Sequence, residues 1–239
     1  MSLVKARLRN LLVKARHARR GLDPAAAANL AALDRLDPAA PAEAHSYVVV
    51  DLETTGLDPM SDRVVAVGAV RMRAGRVRLG EHFAELVNPG RAIPAEAVKV
   101  HGITPDMIAA ARPATEVFKD FLAFLGGDIL VAHYAAFDLH FMNRTMRGLY
   151  GFPMQNLVLD TVKMCRALVL PSDPYGIARH RQRCSLEALA VRFGLPQQGR
   201  HTALGDALMT AMILQRMLGR LAQVGPGTLR EAMRVAALW

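Results

Sequence analysis

The chain has 239 residues, 52% of them hydrophobic, enough to bury one sizeable core with a small appendage. No run approaches the roughly 18 consecutive apolar residues of a membrane span, and no early apolar stretch ends in a signal-cleavage pattern, so a soluble cytoplasmic protein is expected. The net charge of +9 suits a polyanionic partner, although an Arg-rich, Ala-rich composition also follows from the coding bias of a GC-rich genome. Cys165 and Cys184 lie far apart without CxxC or Cys/His spacing, which predicts two ordinary thiols rather than a zinc site or a disulfide.

Residues 1–45 read as a basic helical extension. Val4, Leu8, Leu11, Leu12, Ala15 and Ala18 recur at helical spacing and gather on one face, while Lys5, Arg9, Lys14, Arg16, Arg19 and Arg20 fill much of the remainder. Several readings stand for that helix: packing on the domain or on a second copy, contact with nucleic acid or an acidic protein partner, or a membrane-surface or targeting role. Gly21 and Pro24 interrupt it, an Ala-rich segment covers about 25 to 36, and Asp37-Pro38-Ala39-Ala40-Pro41 reads as a linker.

From Ser46 the pattern turns to strands. Tyr47–Val50 is a continuous β-branched run suited to a strand buried on both faces. Arg63–Val70 and Val77–Phe83 follow, joined by a turn at Ala74-Gly75, and predict an antiparallel side to the sheet. Helices are predicted at about 94 to 100, 114 to 125 and 136 to 149, with the strand Ile129–Ala132 between the last two. A short strand near 157 to 159 leads into helices at about 160 to 169, 185 to 193, 202 to 220 and 227 to 237. The stretch from about 170 to 183, with Arg179, His180, Arg181 and Arg183, reads as a long basic loop. The fold class expected is α/β, a mixed sheet with flanking helices, divided into the extension, a catalytic domain at 46–222 and a C-terminal helix at 223–239.

Four carboxylates and one histidine stand out along this frame. Asp51 is expected at the C-terminal end of its strand, where open α/β sheets place their sites, and Glu53 two residues on shares its face in an extended backbone. Two oxygen-rich ligands on one face suit a hard cation, although Asp-x-Glu also occurs in turns that merely meet water. Asp138 opens a helix after the strand Ile129–Ala132, where an acid also serves the helix dipole. His201 and Asp206 flank the start of the long helix near 202 to 220 and can address one cleft.

Taken in order, Asp51-Leu52-Glu53-Thr54-Thr55-Gly56, Ala132-His133-Tyr134-Ala135-Ala136-Phe137-Asp138 and His201-Thr202-Ala203-Leu204-Gly205-Asp206 resemble the three motifs of the DnaQ-like 3'-5' exonucleases, the DEDDh branch of the DEDD superfamily. The likeness covers roughly residues 46 to 220, with further familial segments at His101-Gly102-Ile103-Thr104 and Leu159-Asp160-Thr161. It implies a ribonuclease H-like fold and two divalent cations, Mg²⁺ or Mn²⁺. On the family pattern Asp51 bridges them, Glu53 and Asp206 complete one, and Asp138 supports the other. His201 is then the base that deprotonates the attacking water.

The resemblance also places Thr54, Thr55, Gly56 and Leu57 beside the terminal nucleotide, with Tyr134 and Phe137 as further substrate-side candidates. His101 is ambiguous, His133 is expected to pack beneath the site, and Asp160 to cap the following helix. Tyr134 departs from the Asn usual at that position: a phenol stacks on a base but offers no amide pair. The implied activity is release of nucleoside 5'-monophosphates from single-stranded or frayed DNA 3' ends. RNA trimming and a non-catalytic nucleic-acid-binding module are the alternatives.

Overall fold

The computed structural model describes residues 3–17, 23–170 and 183–238. Its sheet begins with an antiparallel meander, β1 (Tyr47–Thr54), β2 (Val64–Arg73) and β3 (Arg76–Asn88). Ala74 and Gly75 both adopt left-handed φ (49° and 67°), the geometry that matches a two-residue turn to strand twist. Beyond β3 lies the short parallel β4 (Arg112–Pro113). On the other side of β1 come β5 (Ile129–Ala132) and β6 (Val158–Asp160), both parallel, then antiparallel β7 (Ala237–Leu238), giving seven strands in the order β4-β3-β2-β1-β5-β6-β7 among the described residues. The C-terminal segment, expected as a helix alone, is therefore α-helix at Leu229–Ala236 and then an edge strand.

Helices cover both faces: α1 (Leu3–His17), α2 (Pro24–Ala31), α3 (Ala95–His101), α4 (Pro105–Ile108), α5 (Ala114–Leu125), α6 (Ala136–Tyr150), α7 (Thr161–Leu168), α8 (Leu186–Phe193), α9 (Ala203–Val224) and α10 (Leu229–Ala236). The alternation of β1 divides the core. Tyr47 and Val49 pack with α7, α8 and α9, whereas Val48, Val50 and Leu52 pack with α2, α5 and α6. This is the mixed sheet with flanking helices that the sequence predicts. Among the described residues no helix is long and apolar enough to cross a membrane.

Two features run against expectation. The large apolar stripe of α1 faces outward, with Val4 66%, Leu8 59%, Leu11 61% and Leu12 72% exposed. The helix docks instead through Leu3, Ala6, Asn10 and His17, a second row at the same period. Asn10 Nδ2 donates to the Leu30 carbonyl at 2.8 Å, and Arg7 donates to the carbonyls of Leu33 (3.0 Å) and Leu36 (2.8 Å). These carbonyls lie at and just beyond the C-terminal end of α2, where helical backbone acceptors lack intrahelical partners, so polar satisfaction decides which face packs. Ala26, Asn29 and Leu30 of α2 are buried, and Asn29 Oδ1 accepts the backbone N–H of Gln155 at 3.2 Å.

The second departure is covalent. Cys165 in α7 and Cys184 just before α8 form a disulfide with Cα atoms 6.0 Å apart, not two free thiols. Both sulfurs are fully buried among Met164, Leu186 and Leu189. Sequence separation hid the pair; the fold brings them together because α7 and α8 pack on the same face of the sheet. The basic loop expected between them lies, over 171–182, outside the described residues.

Candidate active site

Asp51 is not at the end of its strand, since β1 continues to Thr54 along β2. It does lie past the last parallel pair with β5, Val49 and Val131, so β1 is unpaired on that side where the acid begins. Asp51 and Glu53 share the face of Tyr47 and Val49, the face against α9. Asp138 lies in the first turn of α6, buried, where the backbone N–H groups of Leu52 and of Asp138 itself favour its ionised form.

Asp206 arrives through a close approach. Gly68 on β2 sits opposite Asp51, and a Cβ there would stand 2.1 Å from the backbone of Ala203 and Leu204. Only glycine lets the start of α9 lie that near the sheet. Thr202 caps α9 by accepting the Gly205 N–H at 3.2 Å, and its own hydroxyl donates to the Gly199 carbonyl at 2.7 Å. Together these place potential ligand atoms of Asp51, Glu53 and Asp206 within 4.8 Å of one another.

Electrostatics mark the cost of that convergence. Burial, with Asp138, Glu53 and Asp206 adding their charges, pushes the Asp51 carboxyl well above the usual range. Burial and Asp206 raise Glu53 to about 7, and burial with Asp160 and Glu53 nearby raises Asp138 to about 8. Carboxylates whose oxygens lie within 4.8 Å of one another, half-buried to buried and oxygen-only, are the donor set a hard divalent cation requires. The residues present fit such an ion.

The opposing charge comes from Arg200, which sequence reading passed over. Its guanidinium pairs with Asp206 through Nη1 and with Glu187 through Nη2. Its place immediately before His201 was the one available signal, and only the fold shows that it turns inward. His201 adopts φ 61° and donates its backbone N–H to Asp206 Oδ2 at 3.3 Å, while its ring stays exposed at the rim.

The other predicted residues divide. Thr54 and Thr55 are buried, their hydroxyls spent on the Gly56 carbonyl (2.7 Å) and Asp62 Oδ1 (2.8 Å). A Cβ at Gly56 would meet the Asp62 carboxylate at 2.5 Å, so this glycine lets the turn close on Asp62. Leu57 projects outward, 84% exposed. Tyr134 holds φ 61°, a conformation that Asn tolerates far better than an aromatic residue, and its ring lies edge-on to His133 at 5.1 Å. Phe137 packs against Phe141, ring centroids 5.1 Å apart, and half belongs to the core.

Three further groups lie beneath the site. His133 Nδ1 meets Thr161 Oγ1 at 2.8 Å, and burial lowers its pKa to about 4. His101 is buried, its Nδ1 accepting the Ile103 N–H at 3.0 Å. Asp160 caps α7, accepting the Val162 N–H at 2.8 Å.

Comparison with known proteins agrees with this geometry. A family model described as Exonuclease matches residues 48–214. A DNA polymerase III subunit epsilon-like protein of Rhodobacter capsulatus is 44% identical over 188 residues, 77% of this chain and 25% of that protein. The DNA polymerase III subunit epsilon of Treponema pallidum is 35% identical over 178 residues, 74% of this chain and 79% of that one. The chain spans a quarter or less of the first curated relatives it matches, at 25% and 13% of their lengths. Among solved structures, exonuclease X in complex with 5' overhanging duplex DNA aligns at TM-score 0.57 and 25% identity, over 78% of this chain and 98% of that one. The nuclease domain of 3'hExo, a DEDDh family member bound to rAMP, aligns at TM-score 0.63 and 18% identity, over 79% of this chain and 97% of that one, and so shares the fold. With the three motifs converging as described and the matched region spanning the sheet from β1 into α9, the chain belongs to the exonuclease family, in company with the DnaQ-like epsilon subunits.

Proposed function

We propose that the protein is a divalent-metal-dependent 3'-5' exonuclease that removes nucleoside 5'-monophosphates from single-stranded or frayed DNA ends. The observation that carries this reading is the convergence of Asp51, Glu53 and Asp206 within 4.8 Å, with Asp138 against the backbone between the first two. DNA is favoured over RNA because the Rhodobacter capsulatus and Treponema pallidum relatives are named as DNA polymerase III subunit epsilon-like and subunit epsilon proteins.

In this reading Asp51, Glu53 and Asp206 would hold one cation, and Asp51 and Asp138 would hold a second, of the Mg²⁺ or Mn²⁺ class. Such ions supply charge neutralisation at the phosphate and stabilise attacking and leaving oxygens during in-line displacement. The His201 ring, exposed at the rim, takes the proton from the attacking water as its oxygen bonds to phosphorus, and the ester bond breaks as the leaving 3' oxygen gains a proton from solvent. Leu57 offers an apolar contact to the terminal base or sugar, and Tyr134 a stacking face. The exposed row Val4, Leu8, Leu11 and Leu12 supports a reading of α1 as a docking surface for a protein partner or a second copy, in a cytoplasmic setting.

The test is a cleavage assay on matched DNA and RNA oligonucleotides with Mg²⁺ or Mn²⁺, with EDTA and Asp51→Ala as controls. Release of 5'-mononucleotides that requires metal and Asp51, with DNA faster than RNA, is the expected result. Faster RNA cleavage reassigns the substrate, and no cleavage of either removes the enzymatic reading.

A further inference from the structure

We propose that Arg200 and divalent cations compete for Asp206, and that Arg200, once displaced, binds a backbone phosphate of the nucleic-acid strand. The inference rests on the metal-dependent reading above and adds a residue to it. Arg200 lies between two left-handed residues, Gly199 (φ 76°) and His201 (φ 61°), on the turn that leads into α9. That turn aims its side chain inward, where it is 15% exposed, and Nη1 takes Asp206 Oδ1. The second oxygen of Asp206 already accepts the His201 N–H. The oxygen that Arg200 holds is therefore the one less committed to the fold, and it belongs to the group whose ligand atoms converge with those of Asp51 and Glu53.

A guanidinium and a divalent cation on one carboxylate oxygen repel each other strongly in a half-buried site. Both cannot keep that contact, and the divalent ion, bound by several carboxylates at once, prevails. Arg200 is not lost to solvent when this happens. Its Nη2 is anchored to Glu187 in the first turn of α8, whose side chain is 51% exposed and so lies at the rim. The Nε–H of Arg200 is buried with no acceptor among the described residues, leaving a donor unused in the present pairing. Released from Asp206, the guanidinium stays tethered to Glu187 through Nη2 and has Nη1 free to donate. An Nη1–H freed in this way makes a charge-assisted hydrogen bond to a phosphate oxygen, the anion that arginine recognises best. Arg200 directly precedes His201, so the phosphate it meets lies beside the bond being cleaved.

The experiment is site-resolved arginine modification. Wild-type protein is treated with phenylglyoxal, and adduct at Arg200 is quantified by peptide mass spectrometry in three conditions: with EDTA, with saturating Ca²⁺, and with Ca²⁺ plus a phosphorothioate DNA oligonucleotide. Calorimetry with Ca²⁺ alone is run in parallel. The expected pattern is slow modification in EDTA, severalfold faster modification with Ca²⁺, and renewed protection by the oligonucleotide. Saturable Ca²⁺ binding with Arg200 equally protected throughout overturns the proposal and makes Arg200 a fixed counter-charge. Failure of Ca²⁺, Mg²⁺ and Mn²⁺ to bind overturns the metal-dependent reading instead. Arg200→Gln is expected to tighten metal binding, raise KM for the oligonucleotide about tenfold with a smaller change in kcat, and shallow the salt dependence of binding by about one phosphate contact. An unchanged KM and salt slope overturns the phosphate role.

Discussion

Raising the pH of chelator-treated protein from about 6.5 to about 8 should destabilise it, because the folded cluster binds protons that the unfolded chain does not. Glu53 and Asp138 titrate near 7 and 8 in the fold, against ordinary values of 4.5 and 3.8. Unfolded, both are ionised throughout that window. Their contribution to stability is complete below the unfolded values and is lost as the pH climbs through the folded ones. Below about 6.5 the buried His133, depressed to about 4, works in the opposite sense, which is why the window starts there.

Integrating proton release over the window gives about 1 kcal/mol from Glu53 and about 1.5 kcal/mol from Asp138. For a chain of this size that is a fall in Tm of roughly 4 to 10 °C. Circular-dichroism melts in EDTA at closely spaced pH values measure it. Asp138→Asn should flatten the slope by more than half, and saturating Mg²⁺ should abolish it by compensating the cluster's charge. A Tm that is level or rises with pH in EDTA, or an Asp138→Asn slope equal to wild type, would refute the account of the site as self-repelling carboxylates.

Asp206→Ala should abolish cleavage and weaken metal binding in calorimetry, whereas His201→Asn should leave metal binding intact and lower kcat by roughly 10²- to 10⁴-fold. Gly68→Ala should push the start of α9 off β2, costing roughly 1 to 3 kcal/mol by overpacking and reducing activity well beyond the loss of stability, as read from melts and single-turnover rates. Cys165→Ser should lower stability by about 3 kcal/mol in oxidised protein, the entropy of closing a loop of this length, with little effect once wild type is reduced. Leu8→Gln with Leu12→Gln should leave melting and turnover unchanged while abolishing any complex made through α1, as seen by light scattering or pull-down with the purified partner.

The strands and helices around the acids were legible because each rests on local pattern: a β-branched run for β1, turn residues at Ala74-Gly75, and a capping acid at Asp160. The convergence of Asp51, Glu53, Asp138 and Asp206 was legible through motif order. What the chain hid depends on tertiary choice. Helix α1 carries two rows at the same period, and hydrophobic size picks the wrong one because hydrogen bonds to the carbonyls of Leu30, Leu33 and Leu36 decide the docking. Asp51 was placed at a strand end because only pairing with two neighbours shows that β5 stops before β2 does. Arg200 has only its place before His201 as a signal; its inward course follows from φ values at Gly199 and His201 that nothing local announces.

The bridge between Cys165 and Cys184 also changes the connectivity of the polypeptide. Residues 166–183 become a ring through which the main chain is no longer the sole covalent route, so α7 and α8 are joined twice. A protease that cuts at Arg179 or Arg181 would divide the chain between its second and third motifs, yet release nothing. On a gel the nicked protein would run as one species until a reductant is added, and then as two.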